Sequence, residues 1–381
     1  MAEAFTFVCL DPRKQKHADI AGLLGPLGAL QWMRMPKMSF RNWPQTKERA
    51  ETALIAARHI PAPGLIRSLW SWVLQKQYNG MRKYFEAHPA HVAVAWNGLN
   101  GSRRVYIDAA KDAGAKTLSF ELGPFPGRIT VDPKGVNFAN ALPRDAAPYL
   151  DWLRQSDIDT EGWRAMGAKI KQRTPIAPPA QAGALPPLTD PFVFAPLQVP
   201  GDSQLRLFGG NFRTVDSFVK ALQEAASHLP DGWHLRLKEH PSTPAFVADL
   251  LQDVDAPIYL DNATDTFAQV AASRGVITIN SSVGLEAMFF DKPVIACGQC
   301  FWAIPGMAGK APDQATLNQT MARADTWQFD VETRNAVMSF LDQVYYPARQ
   351  PDAAKTTELI RDRLEGTGAF GDLTALGFAT I

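Results

Sequence analysis

The chain has 381 residues, more than one hydrophobic core usually holds, so its length predicts two domains. Hydrophobic residues make up 46% and charged residues 20%, as in an ordinary globular protein, and the net charge of +1 excludes the strong basic bias of a nucleic-acid-binding protein. Three cysteines and no secretory leader favour a reducing cytoplasm, and no apolar run approaches the roughly 18 residues that span a membrane.

The first part of the chain, 1–173, shows a loose alternation of strands and helices and predicts a Rossmann-like domain. Buried strands are expected at 5–10, 91–96 and 116–120, with helices at 66–85 and 102–113. The last of these strands ends at Glu121, and a loop rich in glycine and proline is expected to follow it as far as Asn137.

Two stretches of this first part, 32–47 and 66–85, interleave basic side chains with aromatic residues and methionines. We interpret them as a core helix with a solvated basic loop. The alternative is an interfacial or acceptor-binding surface, because mixed cationic and aromatic faces suit lipid headgroups.

The composition changes at 174–191, where six of eighteen residues are proline, which predicts a stiff linker. Beyond it, strands near 192, 233, 275 and 293 alternate with helices, so 192–330 is predicted to form a doubly wound parallel sheet. The remaining residues, 331–381, are predicted to be a helical segment that packs back across the domain junction. Two such domains would face each other across a ligand cleft.

Two strands of the second domain run directly into polar loops. The first leads into KEHP, with Lys238 and His240, and the second leads into NSSVGLE, with Ser281 and Ser282 at the start of a helix. Residues just past parallel strands lie at the edge of the sheet where open α/β folds bind ligands. Hydroxyl groups and free backbone N–H groups at a helix start suit a phosphate, so we predict a nucleotide phosphate site here.

Structural explanations exist for each candidate. His240 precedes a proline and could shape a turn, Ser282 could be only a helix N-cap, and an aspartate after a glycine, as at Asp202, is common in turns. Glu121 could be an exposed or capping glutamate. Glu286 follows Ser282 by four residues, not the three of a capping box, which favours a ligand role.

Four blocks of the chain, in this order, resemble the capsule polysaccharide biosynthesis/export family, the Kps-type Kdo transferases. They are FELG..PGRITVD..GVN at 120–137, PLQVPGDSQ at 196–204, KEHP at 238–241 and NSSVGLEAMFFDKPVIACG at 280–298. The resemblance implies an α/β, GT-B-like glycosyltransferase that uses CMP-Kdo as its donor and retains the β configuration. It implies neither a metal nor a separate cofactor.

The resemblance also assigns roles to residues. Asp202 would be the nucleophile that carries the sugar, and Glu121 would be the general acid/base; here Glu121 stands alone in ELG where many relatives carry two acids. The CMP phosphate would be bound by His240, Ser281 and Ser282 with help from Lys238, and the ribose by Glu286. The implied partners are a nucleotide-sugar donor, a lipid or glycolipid acceptor and the capsule assembly machinery, at the cytoplasmic face of the inner membrane.

Two other functions remain open from the sequence. One is a GT-B-type transferase or epimerase that uses a UDP-sugar, which would not depend on Asp202. The other is a non-catalytic capsule assembly or export factor. The combination of an acid, a histidine and two serines argues against the second, because a scaffold does not need them together.

Overall fold

The computed structural model describes residues 4–11, 14–57, 62–172, 174, 184–243, 246–251, 255–349 and 353–376. The chain folds as two compact units, one formed by 1–143 with 340–381 and the other by 144–339. None of the helices within the described residues is both long enough and apolar enough to cross a bilayer.

The first unit is built on five strands. Its elements are β1 (Phe5–Leu10), α1 (Lys14–Leu24), β2 (Gly28–Met33), α2 (Thr46–Ile55), α3 (Leu65–Ala87), β3 (His91–Trp96), α4 (Gly101–Asp112), β4 (Thr117–Leu122) and β5 (Ile129–Asp132). The strand order is β2-β1-β3-β4-β5, parallel except for β5, which pairs antiparallel with β4. This is a flavodoxin-like order with an antiparallel edge strand.

Alternate residues of the central strands of this sheet fill two separate cores. Val8 and Ala93 face one core, where α2, α3 and α4 pack, and their neighbours Cys9 and Val94 face the other. Successive side chains of a strand point to opposite faces, so a strand that is apolar throughout is buried on both sides. The predicted strands at 5–10 and 91–96 and the predicted helices 66–85 and 102–113 are all present.

The second unit contains a six-stranded sheet. Its elements are α5 (Ala147–Gln155), β6 (Phe192–Pro196), α6 (Ser203–Phe208), α7 (Val215–Ala226), β7 (His234–Lys238), α8 (Val247–Leu250), β8 (Ile258–Leu260), α9 (Thr266–Ala272), β9 (Gly275–Thr278), α10 (Ser282–Glu286), β10 (Val294–Ala296), β11 (Gly309–Lys310), α11 (Gln314–Met321) and α12 (Val331–Phe340). All pairings are parallel, in the order β8-β7-β6-β9-β10-β11. This is the strand order of a Rossmann domain, which confirms the doubly wound prediction.

The bounds of the two units differ from the predicted domain bounds. The segment 144–172 belongs to the second unit, where the Trp163 ring lies 5.4 Å from that of Phe289 and Arg164 binds Asp291 at 2.6 Å. Half of the predicted linker of 174–191 lies outside the described residues, at 175–183.

The predicted C-terminal segment, 331–381, is divided between the units. The residues of α12 up to Ser339 belong to the second unit, and the chain from Phe340 onward belongs to the first. There it forms a π-helical turn at Leu341–Tyr345, α13 (Ala353–Glu365) and α14 (Gly368–Leu376), and Ile360 and Leu364 are buried in the core that contains Cys9.

The prediction of a loop from Glu121 to Asn137 is wrong in part. Residues 117–122 and 129–132 form an antiparallel pair in which Glu121 is opposite Thr130. Ile129 and Val131 are buried and alternate with polar residues, a strand period that glycine and proline on both sides conceal. Glu121 therefore lies inside a strand, one residue from its end.

Candidate functional site

A cavity of about 210 Å³ opens at the carboxyl edge of the second unit's sheet. Its walls come from the loops that follow β6, β7 and β9, and β6 and β9 are the neighbouring strands between which the strand order reverses. Ligands of open α/β sheets bind at such a point. Six of the predicted site residues line this cavity: Asp202, Lys238, His240, Ser281, Ser282 and Glu286.

A buried pair of amides joins the two loops at the strand reversal. Gln198 follows β6 and Asn280 follows β9, and the Gln198 Nε2–H donates to Asn280 Oδ1 at 2.9 Å. The Asn280 backbone N–H donates to Gln198 Oε1 at 3.3 Å, and Asn280 Nδ2 donates to the Gln204 carbonyl at 3.2 Å. Because both amides are buried, these bonds fix the two loops to each other.

Asp202 is the N-cap residue of α6. Its Oδ1 accepts a hydrogen bond from the Gln204 backbone N–H at 2.9 Å, and Gly201 before it has a φ of 74°, which a glycine adopts without strain. The side chain is half-buried at the wall of the cavity. The turn that offers a structural explanation for Asp202 is therefore present, and it orients the carboxylate beside the cavity.

The loop after β7 is held by Glu239, which the sequence did not single out. Its carboxylate is buried and accepts from the backbone N–H groups of Phe246 at 2.7 Å and Val247 at 2.9 Å, and from Asn262 Nδ2 at 2.7 Å. Next to it, His240 Nδ1 accepts from the Ser242 N–H at 3.1 Å. A ring nitrogen that accepts carries no proton, so in the neutral ring Nε2 is the donor.

Lys238 is buried beneath this loop. Its ammonium donates to the carbonyl oxygens of Asn262 at 2.7 Å and Thr264 at 2.6 Å, and burial lowers its pKa. Two of its three N–H groups are thus used to hold the loop between β8 and α9. Lys238 therefore has a structural contribution that the sequence did not predict.

The helix after β9, α10, has its N-cap one residue earlier than the sequence suggested. Ser281, not Ser282, is the N-cap, and its Oγ accepts from the Val283 N–H at 3.2 Å. Ser282 is the first residue of α10 and Glu286 is its last, and both line the cavity. A helix of five residues brings the hydroxyl at its start and the carboxylate at its end to the same wall.

Two further cavity residues come from parts of the chain without a recognisable motif. Gln172 lies just before the predicted linker, and its Oε1 accepts from the Thr266 N–H at 2.6 Å and from the Thr266 hydroxyl at 2.8 Å. Lys171 lies exposed beside it and brings a cation to the cavity wall. Both residues lie in an ordinary polar stretch, which gives no sequence signal for a site.

Glu121 lies in the first unit, at the carboxyl end of β4. Trp96 Nε1–H donates to its Oε1 at 3.1 Å, the Leu122 N–H donates to the same oxygen at 3.0 Å, and Asn97 Nδ2–H donates to Oε2 at 2.9 Å. Asn97 has a φ of 69°, a left-handed conformation that asparagine tolerates better than most residues. The carboxylate is thus fixed by residues at the ends of β3 and β4.

Two Rossmann-like units, one of them with its polar residues at the strand reversal, define a protein of the GT-B-like class. A solved structure with the same fold is that of the β-Kdo 2,7 transferase of Thermosulfurimonas dismutans KpsC, with a TM-score of 0.52, 13% identity and coverage of 90% of this chain and 92% of that one. The predicted fold class is confirmed.

The family follows from the sequence comparison. The family model for "Capsule polysaccharide biosynthesis protein" matches residues 155–345, half of the chain. The protein therefore belongs to the capsule polysaccharide biosynthesis protein family, as its four sequence blocks predicted. The matched range contains all six predicted residues of the cavity and excludes Glu121.

Two curated relatives are similar to parts of the chain. Protein FixF of Sinorhizobium fredii is 28% identical over 287 residues, which are 74% of this chain and 68% of FixF. The capsule polysaccharide modification protein LipB of Neisseria meningitidis is 30% identical over 146 residues, which are 33% of this chain and 31% of LipB.

Proposed function

We propose that this protein is a glycosyltransferase of capsular polysaccharide biosynthesis that transfers Kdo from CMP-Kdo, with retention, to a lipid or glycolipid acceptor. The observation that carries the proposal is the cavity at the strand reversal, which gathers a carboxylate, a histidine, two serines and a glutamate from three loops. Membership of the family and the GT-B-like fold support the reaction class.

The donor would bind through its phosphate and ribose. His240 Nε2, with Nδ1 occupied by the Ser242 N–H, is suited to donate to a phosphate oxygen, and the Ser281 and Ser282 hydroxyls approach the cavity from the neighbouring loop. Glu286, one helical turn beyond, would accept hydrogen bonds from the ribose hydroxyls. Lys238 would contribute through the shape of the loop and its charge.

Retention requires two displacements. In the first, the Asp202 carboxylate attacks the anomeric carbon of Kdo, the bond from that carbon to the phosphate oxygen breaks, and CMP leaves with the electron pair. In the second, an acceptor hydroxyl oxygen attacks the same carbon, the bond to Asp202 breaks, and Glu121 takes the hydroxyl proton. Each displacement inverts the carbon, so the two together restore the β configuration.

Calorimetric titration with CMP, UMP, UDP and ADP tests the donor site first. We expect selective CMP binding that His240→Ala weakens by about 1.5–3 kcal/mol, the range of a hydrogen bond to a charged group. His228→Ala, an exposed histidine of the same unit outside the cavity, is the matched control and should leave binding unchanged.

The other outcomes of the titration would favour one of the two alternative functions. Preference for UDP would contradict the CMP-Kdo proposal and favour a UDP-sugar transferase or epimerase. Failure of all four nucleotides to bind would contradict both enzymatic functions and leave the capsule assembly or export factor.

A further inference from the structure

The large apolar side chains that are exposed on the described residues concentrate on one part of the first unit. Nine of the eleven lie between residues 35 and 72, and the other two are Leu122 and Val331. The most exposed are Leu65 at 91% and Phe40 at 76%. Scattered single apolar residues on a surface need no explanation, but a concentration of this kind marks an interaction site.

Eight of these nine residues come from two segments that pack against each other, and the ninth, Ile55, ends α2. The Ser39 backbone N–H donates to the Lys76 carbonyl at 3.0 Å, and the Phe40 and Trp72 rings lie 6.2 Å apart. Gly80 of α3 makes this approach possible, because a Cβ there would lie 2.0 Å from the Lys37 carbonyl oxygen. We call the surface formed by 34–43 and the start of α3, 65–73, the apolar–basic face.

Charge on this face has a single sign over long stretches of sequence. Neither 29–47 nor 62–85 contains an aspartate or glutamate, whereas each contains four lysines or arginines. Arg34, Lys37 and Arg41 are exposed, and the Lys37 ammonium lies 4.2 Å from the centre of the Tyr84 ring. Arg67, the one basic residue of 65–73, forms an ion pair with Glu51 of α2, and Glu86 near the end of α3 accepts from the Trp43 Nε1–H at 3.0 Å.

An apolar cavity of about 240 Å³ adjoins the face. Leu69, Trp70 and Val73 of α3 line it together with Leu54 of α2, and Gly101 and Ser102 at the start of α4 close it. The cavity therefore extends the exposed apolar surface of α3 inward between helices.

We propose that the apolar–basic face docks the protein on the surface of an anionic phospholipid bilayer. Exposed tryptophan, leucine and isoleucine side chains would enter the boundary between headgroups and acyl chains, and the basic side chains beside them would bind lipid phosphates. The charge favours a bilayer over a second copy of this chain, since Arg34, Lys37 and Arg41 give the face a net positive charge and two such faces would repel each other. The docking goes beyond the proposed function and does not depend on it.

Sedimentation with vesicles tests the docking without any sugar donor. The full chain is mixed with vesicles of phosphatidylethanolamine and phosphatidylglycerol, and in parallel with vesicles of phosphatidylcholine alone. We expect binding to the anionic vesicles that falls with rising salt, because exposed charges are screened. Arg34→Glu with Arg41→Glu should lower the partition coefficient at least about tenfold, since each basic residue near an anionic surface contributes about fivefold.

The apolar part is tested by Leu65→Ser with Ile66→Ser, whose side chains are 91% and 66% exposed and whose loss should spare the fold. We expect about tenfold weaker partition into the anionic vesicles. Two matched controls lie in the second unit: Val331→Ser, an apolar side chain 52% exposed, and Lys220→Glu, an exposed cation. Both should bind vesicles like the parent chain.

Three results would overturn the proposal. The first is equal binding to anionic and neutral vesicles, and the second is a loss in the controls as large as in the variants of the face. The third is a dimer in sedimentation velocity that Leu65→Ser with Ile66→Ser dissociates, because the face would then be covered by a second copy. Each readout is independent of nucleotide binding, so the proposed donor site can fail while the docking holds.

Discussion

Each of the two sheets carries a carboxylate at its carboxyl edge, and the two are held in different ways. Glu121 accepts hydrogen bonds from two side chains and a backbone N–H, which leaves both of its oxygens engaged. Within the described residues, the Asp202 carboxylate accepts one hydrogen bond, from the Gln204 backbone N–H to Oδ1. Hydrogen bonds on both oxygens fix the Glu121 carboxylate, whereas the Asp202 carboxylate is bonded through Oδ1 at the wall of a cavity.

The difference matches the two chemical roles proposed for them. A nucleophile must present a lone pair to an incoming carbon, so its attacking oxygen should not be committed to a protein donor. A general acid/base also uses a lone pair, and it further needs a fixed orientation toward the proton that it exchanges. Each carboxylate can be tested separately by its amide isostere. Asp202→Asn keeps the hydrogen bond from the Gln204 N–H, whereas Glu121→Gln loses one of the bonds that Glu121 accepts, because an amide has a single acceptor oxygen.

The largest effect is expected from Asp202→Asn. The amide oxygen can still accept from the Gln204 N–H, so α6 keeps its N-cap, but the nucleophile is lost. We expect sugar transfer to fall by about 10,000-fold or more, the scale seen when an attacking group is removed. Donor consumption with CMP-Kdo and an isolated lipid fraction as acceptor measures the rate.

Asp313→Asn is the control for this variant. Asp313 is also a helix N-cap, of α11, where it accepts from the Thr316 N–H at 2.8 Å, and it lies outside the cavity. Its replacement should leave transfer unchanged. If Asp202→Asn retained more than a hundredth of the parent rate, Asp202 would not be the nucleophile.

Glu121→Gln should have a smaller effect on transfer, and it should slow a different step of the reaction. Departure of CMP needs no proton from the enzyme, so the first displacement should continue and the second should slow by about 100- to 1,000-fold, the scale of general acid/base catalysis. Intact-mass spectrometry should therefore find a chain heavier by one Kdo residue. The same measurement on Asp202→Asn should find no adduct.

The exposed Glu86 of the first unit gives the comparison for this experiment. It binds Arg82 on the surface of α3, and Glu86→Gln should transfer at the parent rate without a trapped adduct. An unmodified Glu121→Gln chain with undiminished transfer would show that the acid/base lies elsewhere.

The sequence predicted the second unit better than the first, for a physical reason. Its central strands β6 and β9 are short apolar runs that end in recognisable polar loops, and the parallel order then forces those loops to one edge. In the first unit, β2 is only partly buried and β5 is a four-residue strand between glycine and proline, so neither gives a clear periodic signal.

The supporting residues of the site were the least predictable. Glu239 acts through hydrogen bonds to residues 7, 8 and 23 positions away in sequence, and Gln172 through hydrogen bonds to a residue 94 positions away, and no local pattern encodes such contacts. Asn280 and Gln198 stood inside recognised blocks, but their pairing across 82 residues depends on β6 and β9 being neighbours. Chemistry-bearing residue types can be found from motifs, whereas the residues that orient them follow from topology.

The smallest expected effect concerns that pairing and is one of positioning. Asn280→Ala would leave the buried Gln198 Nε2–H without its acceptor, which costs about 1–3 kcal/mol of the free energy of unfolding. Urea unfolding measures this cost, and Asn318→Ala should change it by less than about 0.5 kcal/mol. The partners of Asn318 are the exposed Glu224 and Gln314 Nε2, which also donates to the Ala221 carbonyl.

A double-mutant cycle separates the pairing from general damage to the core. Replacing both Gln198 and Asn280 should lower the free energy of unfolding by less than the sum of the two single changes, by about 1 kcal/mol or more. The reason is that each single variant leaves a buried polar group of the other amide without its partner. We also expect Asn280→Ala to weaken CMP binding, since the loops that carry Asp202 and Ser281 would lose two of the hydrogen bonds that join them. Strictly additive costs with unchanged binding would mean that the strands alone hold these two loops, and that the contrast between the two carboxylates does not depend on the amide pair.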